Sequence, residues 1–256
     1  MNTKRILVAL TPSMLPNRSD RATDYLVVVI DLLRASTSII RGLRSGAERI
    51  IPVVDRETAI AMKREMEAAD DPNASRTIVT AGERGGLKID GFDLGNSPRE
   101  FDSDRLTGAT VIMSTSNGTG AIAIGREYGH VIIGGLNNAG EVARRIARDK
   151  RDVLLLCAGN DGGFSMDDFV AAGGIIESLG RCGISYEVDD AGRSALEMFI
   201  LLREDLARRL AETDHGRRLN EIGSGDDIPL CTEVDIPGAG VPELVDDALT
   251  LMRRYD

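Results

Sequence analysis

The amino-acid sequence predicts an α/β fold, a largely parallel or mixed sheet covered by helices, built as one domain or as two intimately packed lobes. Three observations predict it. Short apolar runs alternate with segments of helical period, the layout of successive βαβ units. The residues just after those runs are rich in Gly, Ser, Thr, Asn and charged types, as where parallel strands end in ligand-binding loops. The 256 residues, 42% hydrophobic and 28% charged, hold enough apolar material for a sizeable core.

In chain order, the runs at 26–30, 49–53, 77–80, 110–113, 131–133 and 153–156 read as strands, and 36–43, 56–68, 120–127 and 139–149 as helices. Ser165, with Asp168 three positions on and the small-residue run 170–174 behind it, reads as the N-cap of a closely packed helix. From about residue 184 helical signals dominate, at 192–210 and 242–254, so this quarter packs on the sheet or forms the second lobe. Polar gaps at 17–24, 70–76 and 102–108 read as surface loops, none long enough to be an obvious linker, and one domain over 1–256 is the reading kept. Segments 27–54 and 111–134 share a layout of strand, Ser/Thr-rich turn, helix, Gly and strand. An old duplication would give it, but βαβ geometry imposes the same layout on unrelated segments, which is the favoured reading.

Formal net charge is -10, from 41 acidic and 31 basic residues, so no broad basic surface exists for a polyanion and nucleic acid is not an expected partner. A small anion remains possible where arginines, helix N-termini or a bound cation reverse the potential locally. No apolar run reaches membrane-spanning length, and the run at 6–10 is shorter than the core of a signal peptide. With three scattered cysteines, Cys157, Cys182 and Cys231, this predicts a cytoplasmic protein. Only His130 and His215 are present, which pushes chemistry toward carboxylates. Oligomeric state is not legible, because subunit contacts and buried helix faces share one apolar pattern.

Four segments carry candidate chemistry. In the first, Asp31 ends a strand and Arg34, Ser36 and Thr37 follow as a helix opens; an acid places a metal and an arginine holds an anion, unless the two merely pair. The second sets Glu83 and Arg84 between glycines, followed by the Gly-rich stretch with Asn96 and Ser97, and reads as backbone brought close to a ligand or as an ordinary surface loop. The third, Ser114, Thr115, Ser116, Asn117 and Gly118 between strand and helix, suits a tetrahedral oxyanion. It also loosely matches a dinucleotide fingerprint, but the next strand ends in Gly134 and Gly135 instead of an acid, so a dinucleotide is rejected. The fourth runs from Cys157 and Gly159 to Asp167 and Asp168, whose acids face a metal or only complement the helix dipole. A cysteine phosphatase needs an arginine six residues after its thiol; those positions hold Gly163, Val188 and Pro237.

Taken in order, 29–37, 82–86, 91–98, 114–118, Cys157 to Asp168, His215 with Gly216, and Asp227 to Pro242 resemble the 2-phosphosulfolactate phosphatase family over nearly the whole chain. One departure is the turn at Ser114 and Ser116, usually richer in threonine in that family; serine keeps the hydroxyls. The resemblance implies magnesium-dependent release of phosphate from 2-phospho-3-sulfolactate, a step toward coenzyme M, or from another phosphorylated hydroxy acid. Position and chemistry then give Asp31 with Glu83 or Asp168 as holders of Mg2+, and Arg34 and Arg84 as binders of the remaining anionic groups. Ser36, Thr37, Asn96, Ser97, Thr115, Ser116, Asn117, Gly118 and Gly159 complete the expected substrate contacts. A non-catalytic sensor of a phosphorylated metabolite is the rival expectation.

Overall fold

The computed structural model describes residues 3–16, 24–69 and 77–251. Its strands are β1 (Lys4–Ala9), β2 (Tyr25–Ile30), β3 (Arg49–Pro52), β4 (Ile78–Arg84), β5 (Leu87–Lys88), β6 (Thr110–Ser114), β7 (Gly129–Ile133), β8 (Val153–Cys157), β9 (Tyr186–Val188), β10 (Pro242–Val245) and β11 (Ala248–Leu251). They form one mixed sheet in the order β5-β4-β6-β3-β11-β10-β7-β2-β8-β1-β9. The helices are α1 (Ala35–Arg44), α2 (Arg56–Ala69), α3 (Pro98–Phe101), α4 (Gly118–Gly125), α5 (Ala139–Arg148), α6 (Met166–Gly180), α7 (Asp190–Leu202), α8 (Leu206–Ala211), α9 (Asp214–Glu221) and α10 (Asp227–Thr232). Among the described residues no helix is long and apolar enough to cross a membrane.

The sheet contains two parallel sets, β4-β6-β3 and β7-β2-β8-β1-β9, joined by the β10–β11 hairpin. Every pairing from β3 through the hairpin to β7 is antiparallel, so the two sets run in opposite senses. In a flat sheet their C-terminal ends would lie at opposite edges. Strands twist by about 20–25° per neighbour, and the five steps from β6 to β2 therefore rotate by roughly 100–125°. That rotation lets the ends of β2, β4 and β6 converge, and Asp31, Glu83 and Ser116 line one pocket.

Alternation of side chains sorts the core. Leu26, Val28 and Ile30 of β2 face α5, α6 and α7. Val27 and Val29 face the other way and share a second core with Val111 and Met113 of β6, Ile39 and Ile40 of α1, and Ala121 and Ile122 of α4. Thus α1 and α4 are common to both strand sets, and each fully buried branched side chain contributes about 1.5–3 kcal/mol. A smaller cluster packs Ala59 of α2 on Ile51 and Ile112.

One expectation is overturned. Segment 242–254 is not a helix: 242–251 forms the β10–β11 hairpin, while 252–254 lie outside the described residues. Asp246 takes the left-handed conformation that a tight hairpin turn requires, at φ 54°. The buried Glu243 accepts from Arg145 Nε at 2.7 Å and meets His130 Nε2 at 2.9 Å, which ties the hairpin to α5 and β7. The shared layout of 27–54 and 111–134 corresponds to β2-α1-β3 and β6-α4-β7, which cross the hairpin in opposite directions. Of the expected loops, 17–23 and 70–76 lie outside the described residues. The loop at 102–108 is anchored by buried Leu106 and by Asp102, which accepts from Arg41 and Arg44.

Candidate active site

β2 is buried at all six positions and delivers Asp31 at its end. The next residues turn tightly. Ser36 N–H donates to the Asp31 carbonyl at 2.8 Å, Asp31 N–H donates to Ser36 Oγ at 2.9 Å, and Ala35 N–H donates to Asp31 Oδ1 at 3.3 Å. Asp31 Oδ2 faces Gly118, where a Cβ would sit 2.6 Å from it. The Leu33–Arg34 peptide within this turn is cis. Burial pushes the Asp31 carboxyl up, with Glu83 and Asp167 adding to the shift and His215 opposing it, so that it titrates at about 6.

Two further carboxylates organise the surrounding turns. Glu83 accepts from Ser116 N–H and Gly86 N–H, each at 2.7 Å, and from Ser116 Oγ at 3.2 Å. Asp168 accepts from Leu32 N–H at 2.8 Å and Gly159 N–H at 3.0 Å, joining the loops after β2 and β8. Beside the two roles weighed from sequence, metal or helix dipole, Asp168 thus has a third: it holds backbone. Burial, then Asp167 and Asp31, raise its carboxyl well above the ordinary range. Asp167 beside it accepts from Leu33 N–H at 3.3 Å and Ser165 Oγ at 2.7 Å, and lies 3.5 Å from His215 Nδ1. That last contact is an ion pair too long for a good hydrogen bond. Burial lowers the His215 pKa, but Asp167 and Asp31 outweigh it, and the net direction is upward.

These turns enclose a pocket of about 150 Å³. Of the residues expected from sequence, Asp31, Arg34, Glu83, Asn96, Ser116 and Asn117 line it. The others do different work. Ser36 and Thr37 are buried in the α1 turn, with Thr37 Oγ1 donating to Leu32 C=O at 3.0 Å. Arg84 points away, to Val54 C=O at 3.0 Å and Ser114 Oγ at 2.8 Å. Ser97 donates to Asp227 at 2.6 Å, Thr115 pairs with Thr119, and Gly159 serves Asp168. Gly118 supplies room for Asp31. Arg34 does not pair with Asp31; its guanidinium bridges Asp227 Oδ2 at 2.8 Å and Gly86 C=O at 2.6 Å.

Sequence reasoning passed over Arg218 of α9 and gave no site role to His215 of the same helix or to Asn160 and Asp161 after β8, though all three lie in its motifs; these four side chains also line the pocket. The two histidines of the sequence turned its reading toward carboxylates, yet one of them, His215, stands among those carboxylates, 3.5 Å from Asp167. The available signal was Thr213 as an N-cap with His215 and Arg218 at i,i+3 on one helix face. Cys157 is buried, and burial with Asp168 and Asp167 pushes its thiol up, so it stays protonated.

Among the described residues no three or more His, Cys, Asp or Glu side chains are arranged to enclose a metal. Mg2+ asks for less: one or two carboxylates, with water and substrate oxygens completing its shell. Asp31 suits that demand, being a hard oxygen donor in a pocket where burial and nearby carboxylates disfavour its unpartnered charge. The oxygens of Glu83 and Asp168 already carry backbone N–H donors.

A family model for 2-phosphosulpholactate phosphatase matches residues 10–247. The chain is 38% identical over 209 residues to a probable 2-phosphosulfolactate phosphatase of Caldanaerobacter subterraneus subsp. tengcongensis, covering 82% of this chain and 83% of that protein. It is 36% identical over 233 residues to the protein of the same description from Carboxydothermus hydrogenoformans, covering 91% and 90%. For that of Clostridium tetani the figures are 33% over 219 residues, 86% and 89%. With its strand-end carboxylates, its helix-opening turns and a match across nearly its whole length, the chain belongs to the 2-phosphosulfolactate phosphatase family.

Proposed function

We propose that the protein is a Mg2+-dependent phosphoric monoester hydrolase for a small, multiply anionic 2-hydroxy acid, with 2-phospho-3-sulfolactate, the compound in its relatives' names, as substrate and 3-sulfolactate and phosphate as products. The observation that carries the reading is Asp31 beside the opening turn of α4. Helices leave their first N–H groups unpaired. Here Thr115 Oγ1 takes that of Thr119, and Ala121 is the first to reach a backbone carbonyl, that of Asn117. A tetrahedral anion docked at Asn117 and Gly118 would meet their backbone N–H groups and the Asn117 side-chain amide and lie against Asp31, while Ser116, both of whose donors serve Glu83, holds the turn in place.

Hydrolysis of phosphate monoesters needs acceleration of up to about 10²¹-fold, supplied mostly by positioning and charge neutralisation. Mg2+ held by Asp31 would supply neutralisation of the phosphate oxygens. The remaining work falls to the chain. Glu83 fixes the Ser116 and Gly86 turns, Asp168 fixes the turn that presents Asp31, and Arg34 locks the β2 loop to Asp227. His215 holds a proton to higher pH than a free imidazole, and in that protonated form it adds positive charge to the pocket. In a cell this chemistry would place the enzyme in the cytoplasm on the route to coenzyme M.

Release of phosphate from 2-phospho-3-sulfolactate and related phospho-hydroxy acids, with Mg2+ and with chelator, tests the reading. Turnover that needs the metal is expected. Binding without turnover would make the protein a metabolite sensor, and full turnover in chelator would remove the metal from the reading.

A further inference from the structure

The phosphate and its metal leave a second question at the same site: what receives the other anionic group of the substrate. The pocket is lined by three basic side chains, Arg34, His215 and Arg218. Arg34 is spent on Asp227 and on Gly86 C=O. His215 stands beside Asp167. Among the described residues Arg218 has only Glu221, 3.7 Å away and itself 68% exposed, which is beyond hydrogen-bond reach. Its donors remain available.

The position of Arg218 is fixed by the helix that carries it. Thr213 caps α9 by accepting from Gly216 N–H at 3.0 Å. A Cβ on Gly216 would lie 1.9 Å from Leu210 C=O, so the first turn of α9 rests directly on α8. Leu219 is buried at 1% exposure, and beyond the helix Ile222 Cδ1 occupies the space above Gly86, 2.5 Å from where a Cβ would stand. Held at both ends, α9 presents His215 and Arg218 together, three residues apart on one face.

Resting on the phosphatase reading above, we propose that Arg218 is the specificity-determining residue for the second acid group of that substrate, the carboxylate or sulfonate that lies a few atoms from its phosphate. The planar guanidinium fork matches the paired oxygens of either group. In a cavity of about 150 Å³ the two anionic ends of one small ligand lie close together. The acids that share the pocket, Asp31, Glu83 and Asp161, make an extra fixed cation necessary for a ligand of this charge.

The test compares 2-phospholactate with phenyl phosphate, which has no second acid group, in wild type, Arg218→Gln and Arg218→Lys. The ratio of kcat/KM for phospholactate to that for phenyl phosphate should fall about 10- to 100-fold in Arg218→Gln, through KM, and by an intermediate factor in Arg218→Lys, which keeps charge but loses the fork. An unchanged ratio would overturn the proposal. Calorimetric binding of 2-phospholactate to the same three proteins separates the two readings. Weaker binding by both variants, in a wild type that binds without turnover, would end the phosphatase reading and keep the assignment of Arg218. Equal binding would end the assignment.

Discussion

Ser116 donates its backbone N–H to one oxygen of Glu83 at 2.7 Å, while Gly86 donates to the other at the same distance. One carboxylate at the end of β4 therefore sets both the Gly85–Gly86 turn and the turn that opens α4. Replacing Glu83 by Gln puts an NH2 group against one of these N–H donors. A buried donor left unpaired costs about 1–3 kcal/mol, which corresponds to a fall in Tm of roughly 2–12 °C for a chain of this size. Thermal unfolding with an assay on any substrate checks it; an unchanged Tm would remove the clamp.

Asp31→Asn should act in the opposite sense. The Asp31 carboxyl titrates at about 6 in the fold against an ordinary 3.8. The stability it contributes is fully present below its unfolded value and is lost as pH rises through about 6. At pH 8 the buried charge then costs on the order of 1–3 kcal/mol. Asparagine removes that cost, so the variant should melt higher than wild type at pH 8 and lose this advantage near pH 4. Activity should fall by several orders of magnitude. A variant that is no more stable at pH 8 would contradict the electrostatic picture.

Metal binding should be visible without turnover. A ligand at 100 times its Kd stabilises by about 2.7 kcal/mol, so Mg2+ should raise the Tm of wild type by several degrees and leave Asp31→Asn unmoved. An equal rise in both proteins would place the ion elsewhere.

Gly118→Ala tests the contact between α4 and the β2 loop. The new methyl would stand 2.6 Å from Asp31 Oδ2 and 2.8 Å from Ala35 Cβ. Overpacking of this kind costs about 1–3 kcal/mol. Turnover should drop at least ~10-fold as Asp31 is displaced; a variant with normal kcat would show that the acid tolerates movement.

Arg34→Lys separates holding from substrate selection. A lysine cannot span Asp227 and Gly86 C=O together. Breaking one side of this buried pair should cost about 3 kcal/mol, and kcat should fall equally on acidic and on simple phosphate esters. A loss confined to doubly acidic substrates would return Arg34 to direct ligand binding.

Much of the fold was legible because parallel strands buried on both faces write continuous apolar runs: β2, β6 and β8 stand where the runs at 26–30, 110–113 and 153–156 put them. The pocket residues Asp31, Glu83, Ser116 and Asn117 were legible for a related reason, since each stands at or just after the end of such a strand. Pairings between distant segments were not. Asp227 reaches Arg34 across 193 positions, and nothing local marks that contact. Arg84 misled because nearness in sequence to Glu83 says nothing about orientation, and alternate residues of a strand face opposite sides. The 242–251 hairpin was hidden by the Asp246–Asp247 pair, whose charges resemble the polar face of a helix until φ at Asp246 is known.

The placement of that hairpin bears on how the molecule assembles. β10 and β11 are synthesised after every other strand of the sheet, yet they occupy its middle. Until they arrive, β3 and β7 each present an unpaired edge, the kind of surface that recruits other chains. Contacts this remote in sequence slow folding, because the entropy of closing the intervening loops is lost before any pairing repays it. Refolding should therefore pass through a species in which β2, β8 and β1 are protected from amide exchange while the hairpin-facing edges of β3 and β7 remain open, and its tendency to aggregate should rise with protein concentration.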